Sequence, residues 1–269
     1  MNRRAVLAID IANPTERDQT PGAVANAVTS AVTSAPTSAA PPSAVALGVL
    51  ERDGVRTLGA LAGETHNRRS DGVLALVAQL FEMHTLRPSD LARVIVTVGP
   101  GGYTATRVGV TAGVTLAHAC GADIVGVPCW LGAWWGRDRS VDAEGRTLIA
   151  LAGKRDSAHL SIVEPSAEPG ESAVPRAVGV RTAEALTELA PRRVIAGRHL
   201  PGAFEDGFAK IGVPVERVRT GADVLLSHAM DLSPAAHAGD VRPLYAREPD
   251  AVTQWRTLHP GAFSDAEPA

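Results

Sequence analysis

Short apolar runs alternate with stretches of helical periodicity along most of the chain. Ala5 to Ile9 is apolar throughout and stops at Asp10. Such a run suits a strand buried on both faces, with a carboxylate at its carboxyl edge. Ala44 to Glu51 and Arg56 to Leu61 read as two further strands around the turn Arg52-Asp53-Gly54. Helical spacing takes over from Ser70 to His84, with Ser70 or Asp71 as start signal and Arg87-Pro88 as stop. After a short turn at Ser89-Asp90-Leu91, Val94 to Val98 predicts a strand. It runs into Gly99-Pro100-Gly101-Gly102, then into a helix from about Thr104 to Ala119 that Gly121 ends. Ile124 to Val127 predicts a short strand before Pro128.

The second half repeats this order. Thr147 to Leu151 and His159 to Val163 predict a hairpin, and Pro165 to Pro175 a polar loop. Ala183 to Leu189 reads as helix, Arg193 to Ala196 as strand, Ala203 to Ile211 as helix, Val213 to Val218 as an extended segment, and Ala222 to Met230 as a last helix. Past Pro249 no period is evident. Both halves open on a hairpin and later alternate strand with helix, which points to duplicated α/β domains.

One stretch breaks the pattern. From Asn13 to about Ser43 the chain is Ala, Thr, Ser, Pro and Val with little else, and it contains the near-repeat Ala27-Val28-Thr29-Ser30, Ala31-Val32-Thr33-Ser34, Ala35-Pro36-Thr37-Ser38. Such residues bury too little surface to offset the entropy of ordering, so the tract reads as a disordered insertion. Lengthening a turn to about 30 residues costs only roughly 1.5–2 kcal/mol by the logarithmic closure law.

Composition narrows the function classes. Hydrophobic residues are 45% of the 269, enough for a core, but aromatics are only 4%, so aliphatic packing must carry it. A net charge of −3 excludes a broadly basic nucleic-acid surface, though not a local patch. Lysine occurs only at Lys154 and Lys210. Cys120 and Cys129 are too few for a disulfide scaffold and too far apart for a CxxC motif, which fits buried thiols in a reducing compartment. The opening Met1-Asn2-Arg3-Arg4 lacks the features of a signal peptide, and no apolar run is long enough to span a bilayer. A cytoplasmic protein without membrane contact is expected.

The strongest candidate for chemistry is the passage from Val98 to Gly109. A strand leads into a glycine-rich turn and a helix leads out. That geometry can hold an anion, because glycines let the backbone approach closely and the helix start offers free N–H groups. It lacks the Gly-Lys-Ser/Thr of a Walker loop, and spacing alone favours a plain tight strand-to-helix turn. Asp10, Gly99, Gly101 and Gly102 are candidate remnants of a phosphate loop. None of the eight histidines forms His-x-x-x-His or His-Glu-x-x-His, so no paired-imidazole metal site is expected. No Gly-x-Ser-x-Gly elbow is present, and Asp10 alone makes no catalytic carboxylate pair.

The two helices of the first half offer a surface instead. In the first, Leu74, Val77 and Phe81 share a face, while Val73, Leu76, Leu80 and Met83 lie beside or across from them. Apolar residues nearly all round imply burial on a second side. In the second, Gly109, Ala112, Gly113, Leu116 and Ala117 keep one side thin, and Thr111 and Thr115 supply a polar edge. Packing inside one domain explains these patterns as well as docking does.

The passage Gly99-Pro100-Gly101, Thr104, Arg107, Gly109, with Tyr103 in place of Phe, resembles the glycine signature of the bacterial TsaB (YeaZ) family. Leu7-Ala8-Ile9-Asp10, Glu64-Thr65-His66, Gly126-Val127-Pro128 and Arg242-Pro243-Leu244-Tyr245-Ala246-Arg247 resemble other elements of that family. Gly102 departs from its usual Ser, Ala105-Thr106 from Gly-Val, Ile11-Ala12 from its polar residues after Asp10, and Ala152-Gly153-Lys154 from its Asp-Ala-Arg. The resemblance implies two RNase H-like α/β domains of the actin/Hsp70 type. The first spans 1–130 with the insertion at about 13–43, a reduced second spans 131–249, and 250–269 is a tail.

It further implies a non-catalytic subunit of tRNA N6-threonylcarbamoyladenosine synthesis, with no cofactor or metal of its own. Such a subunit docks onto a TsaD-like transferase, meets a TsaE-like ATPase through the complex, touches tRNA only indirectly, and pairs with itself when alone. The implied interface comprises His66, Val73, Leu76, Leu80, Met83, Arg107, Gly109, Thr111, Ala112, Gly113 and Leu116. The rivals are an ATP-dependent small-molecule transferase or kinase of the actin-like superfamily, and a metalloprotease, which the missing histidine pair disfavours.

Overall fold

The structure is a computed structural model, described here for residues 4–11, 44–62, 72–139, 145–153, 155–165, 174–197, 199–218, 220–246 and 250–259. The tract at 13–43 and His66 lie outside these residues. β1 (Ala5–Ile9) is wholly buried and forms the middle of the first sheet. It pairs antiparallel with β2 (Val45–Glu51), which pairs antiparallel with β3 (Gly54–Leu61). On its other side β1 pairs parallel with β4 (Leu91–Gly99), and β4 with β5 (Asp123–Pro128). The order is therefore β3-β2-β1-β4-β5. The apolar runs without alternation are explained by this position: β1 and β4 have both faces covered.

α1 (Gly72–Met83) and α2 (Tyr103–Cys120) cover one face. Val73, Val77, Leu80 and Phe81 of α1 meet Leu7, Ile9, Val45, Leu47, Val94 and Val96 in one cluster with Val110, Ala112 and Ala117 of α2. Gly121 ends α2 in the left-handed region at φ 63°, and its N–H donates to the carbonyls of Ala117 and His118. This is the cap that only glycine supplies without steric cost.

The second sheet repeats the first. β6 (Thr147–Ala152) pairs antiparallel with β7 (Ala158–Val163), β7 antiparallel with β8 (Arg176–Arg181), β6 parallel with β9 (Arg193–Ala196), and β9 parallel with β10 (Val215–Arg217). Each sheet thus has a three-strand antiparallel meander extended by two parallel strands, the RNase H-like order, twice. The second domain keeps all five strands, and its reduction lies in the helices. α4 (Ala185–Leu189) has five residues and α5 (Gly202–Ile211) ten. Leu186, Phe204 and Phe208 from these helices bury the outer face of the sheet.

The remaining faces are closed by exchange. α3 (Cys129–Trp135) follows β5 of the first sheet but places Cys129 and Ala133 against Ile149, Leu151, Val163 and Ile195 of the second. α6 (Ala222–Ser227) follows β10 of the second sheet but places Ala222, Leu225 and Leu226 against Val6, Ala8, Ala46, Ile95 and Val127 of the first. α3 escapes the sequence reading because it is short and apolar on all sides. β8 escapes because Arg-Ala-Val-Gly-Val-Arg is half exposed and carries little apolar signal. α7 (Asp250–Leu258) occupies the stretch that reads without period; its Trp255 and Leu258 are exposed.

One histidine sits in the exchange zone. His159 of β7 is buried and stacks on Trp130 of α3, ring centroids 5.0 Å apart. Burial lowers its pKa from 6.5 to about 4. A depressed histidine pKa favours the folded state at neutral pH, and that contribution is lost as pH falls from about 6.5 toward about 4, where the unfolded chain takes up the proton first. His159→Phe keeps a ring on Trp130 and removes the proton site. The melting temperature of this variant is expected to fall less steeply than that of the wild type across that window. Identical slopes in a pH series of thermal melts would contradict the assignment.

Candidate docking face and glycine turn

β4 runs through Thr97 and Val98 into Gly99, whose φ of +103° is a conformation that side chains rarely adopt. A Cβ there would lie 2.7 Å from the carbonyl oxygen of Leu244. The close approach belongs to a strap, residues 241–245, that returns from the second half across the end of the first sheet. Val241 enters the first core, and the Leu244 N–H donates to the Val98 carbonyl at 2.6 Å. Tyr245 on this strap stacks on Tyr103, the first residue of α2, with centroids 5.0 Å apart. The Arg107 guanidinium lies 5.4 Å from the Tyr103 ring centroid. Burial pushes the Tyr245 phenol up, Tyr103 adds to the rise, and Arg107 opposes it.

Asp10 stands beside this turn at the end of β1. The Thr97 hydroxyl donates to its Oδ1 at 3.0 Å, and its own N–H donates to the Ala44 carbonyl at 2.8 Å. Gly101 and Gly102 are exposed, and no side chain caps α2 at Gly102. The corresponding hairpin turn of the second domain is closed on itself. The Gly153 N–H donates to the Ser157 carbonyl at 2.9 Å, and a Cβ at 153 would lie 2.6 Å from that oxygen. Among the described residues no three His, Cys, Asp or Glu side chains gather as a metal site. Cys120 is half-buried, which pushes its thiol up, and Cys129 is buried.

The residues expected at an interface divide by burial. Met83, Arg107 and Thr111 are exposed, and Leu76 and Leu116 half-buried. Leu74, which the pattern groups with Val77 and Phe81, instead faces outward and is 52% exposed. Ala75 and Ala78 are exposed beside it, so α1 presents a short outer apolar strip bordered by exposed Gln79 and Glu82. Val73, Leu80 and Ala112 lie in the chain's own core and cannot meet a partner there.

Gly109 and Gly113 are the main correction. They do keep one side of α2 thin, but toward its own sheet. A Cβ at 109 would lie 3.0 Å from Ile11 Cγ1, and one at 113 would lie 3.2 Å from Val96 Cβ. The close approach they permit is helix on sheet, not helix on partner helix. The Tyr103–Tyr245 pair was legible only as a Pro-Leu-Tyr element of unknown destination, since no spacing rule says where a distant strap returns.

Residues 60–132 match the family described as TsaD, tRNA N6-adenosine threonylcarbamoyltransferase. No curated protein matches the chain. Among solved structures, one titled as an uncharacterized protein with similarity to peptidase YEAZ from Pseudomonas aeruginosa superposes with a TM-score of 0.58 at 16% identity, covering 91% of this chain and 100% of that one. YeaZ from Pseudomonas aeruginosa superposes with a TM-score of 0.56 at 15% identity, covering 90% and 99%. Residues 60–132 carry the TsaD family signature, and the chain has the fold of YeaZ.

Proposed function

We propose that this protein is a non-catalytic scaffold subunit that docks onto a TsaD-like transferase and so supports N6-threonylcarbamoylation of adenosine in tRNA. The observation that carries the reading is the outer strip of α1. Leu74, 52% exposed, lies with exposed Ala75 and Ala78 on the outer side of a helix whose other side is packed into the core, and Met83, 45% exposed, stands at the far edge of that outer side. A contiguous exposed apolar patch marks a contact surface, and Leu74, Ala75 and Ala78 are its nucleus here. Arg107 and Thr111 on α2 supply a polar rim. Self-association through the same strip follows when the partner is absent, and tRNA meets the complex through the partner. No helix among the described residues is long and apolar enough to cross a membrane.

Leu74→Asp and Met83→Asp test this reading. Both side chains face solvent in the isolated chain, so the melting temperature is expected to stay close to that of the wild type. Affinity for the purified TsaD-like subunit, measured by titration calorimetry, is expected to fall at least about tenfold, which is about 1.4 kcal/mol. Unchanged affinity in both variants would remove α1 from the docking surface.

A further inference from the structure

We propose that the strap and the start of α2 form a second anchor of the docking surface, in which Tyr103, Tyr245, Leu244 and Arg107 receive an acidic segment of the partner protein. The inference rests on the scaffold reading above and deepens it by joining the strap to the rim that Arg107 supplies. Three of the exposed large side chains gather here, Tyr103 at 48%, Tyr245 at 43% and Leu244 at 38%. They come from parts of the chain more than a hundred residues apart, yet they are held in register. Val241 is fixed in the first core, Leu244 is hydrogen-bonded to Val98, and the two tyrosine rings are stacked. The aromatic pair is thus ordered before any partner arrives, and preorganised aromatic side chains lose little entropy on binding.

The chemistry of the patch selects the occupant. Tyrosine and arginine are the residue types that most often carry interface energy. Arg107 is exposed and makes no ion pair among the described residues. The first turn of α2 holds no acidic residue to neutralise it. A carboxylate brought alongside Arg107 would meet an uncompensated cation beside an apolar surface, while Leu244 and the tyrosine rings would cover the aliphatic part of the same segment. A nucleic acid fits less well. One guanidinium on a chain of net charge −3 neutralises too few phosphates, and the exposed residue next to Tyr245 in the strap is the aliphatic Leu244.

The test uses the full chain and the purified TsaD-like subunit, titrated at low and high salt. Wild type is expected to bind more weakly at high salt. Arg107→Glu is expected to weaken binding at least about tenfold at low salt, with that salt dependence lost or reversed. Tyr245→Ala is expected to weaken binding at both salts, with the melting temperature retained because Val241 and Leu244 still seat the strap. The inference falls if Arg107→Glu and Tyr245→Ala bind like the wild type; when Leu74→Asp is weakened in the same series, the scaffold reading survives that failure. It also falls if Arg107→Glu binds more tightly, or if the isolated chain binds tRNA and these two variants abolish that binding. If the wild type does not bind the subunit at all, both the scaffold reading and the anchor are overturned.

Discussion

Gly113→Leu is expected to lower the melting temperature of the isolated chain by several degrees while leaving the affinity of the folded protein for its partner unchanged. The Cβ alone would stand 3.2, 3.3 and 3.5 Å from the Cβ and both Cγ atoms of Val96. Val96 is fully buried in β4, a strand held on both sides by β1 and β5, so it has no room to retreat. The rest of a leucine side chain has to lift α2 off the sheet. Overpacking of this kind costs about 1–3 kcal/mol. In a domain of 150–250 residues each kcal/mol lowers the melting temperature by about 2–4 °C. Gly109→Leu meets Ile11 and Ile9 in the same way. Thermal melts followed by circular dichroism decide the matter. An unchanged melting temperature with weakened association would return these glycines to the docking face.

Leu225→Ala carries the largest expected cost. Leu225 is fully buried on α6, a helix that follows the second sheet in the chain but packs on the first. Its Cδ2 also approaches Gly132 of α3, where a Cβ would lie 3.4 Å away. Truncating a leucine in such a site costs about 2–5 kcal/mol. Because α3 and α6 each seal the sheet of the other half, the loss is expected to reach both domains. A denaturant titration should show one transition at a lower midpoint. Two separate transitions, with only one displaced, would show that the exchanged helices do not couple the domains.

The legible part of the fold was the part whose side chains are sorted by burial alone. β1, β4, β6 and β9 each carry an apolar run without alternation because both faces of each strand are covered, and sequence and structure agree on them within a few residues. β8 was not legible because a half-exposed edge strand needs no apolar run. α3 and α6 were not assignable to their sheets, since a helix carries no mark of which sheet it will cover. The first helix illustrates the same limit. Periodicity shows that α1 is apolar nearly all round, but only packing reveals that Val73, Val77, Leu80 and Phe81 point inward and Leu74 and Met83 outward. Small residues on α2 mark a close approach without saying to what, and here the neighbour is the chain's own β4 and the end of β1.

The most direct test of the scaffold role is reconstitution of threonylcarbamoyl transfer to tRNA from purified components. Activity of the TsaD-like transferase, supplied with activated threonylcarbamoyl donor and tRNA, is followed as modified adenosine formed with and without this chain. The chain alone is expected to form none, the transferase to need the chain for sustained turnover, and Leu74→Asp to lose this support in step with its loss of affinity. Modified adenosine formed by the chain alone and abolished by Asp10→Ala, or a transferase equally active without the chain, would contradict the scaffold role.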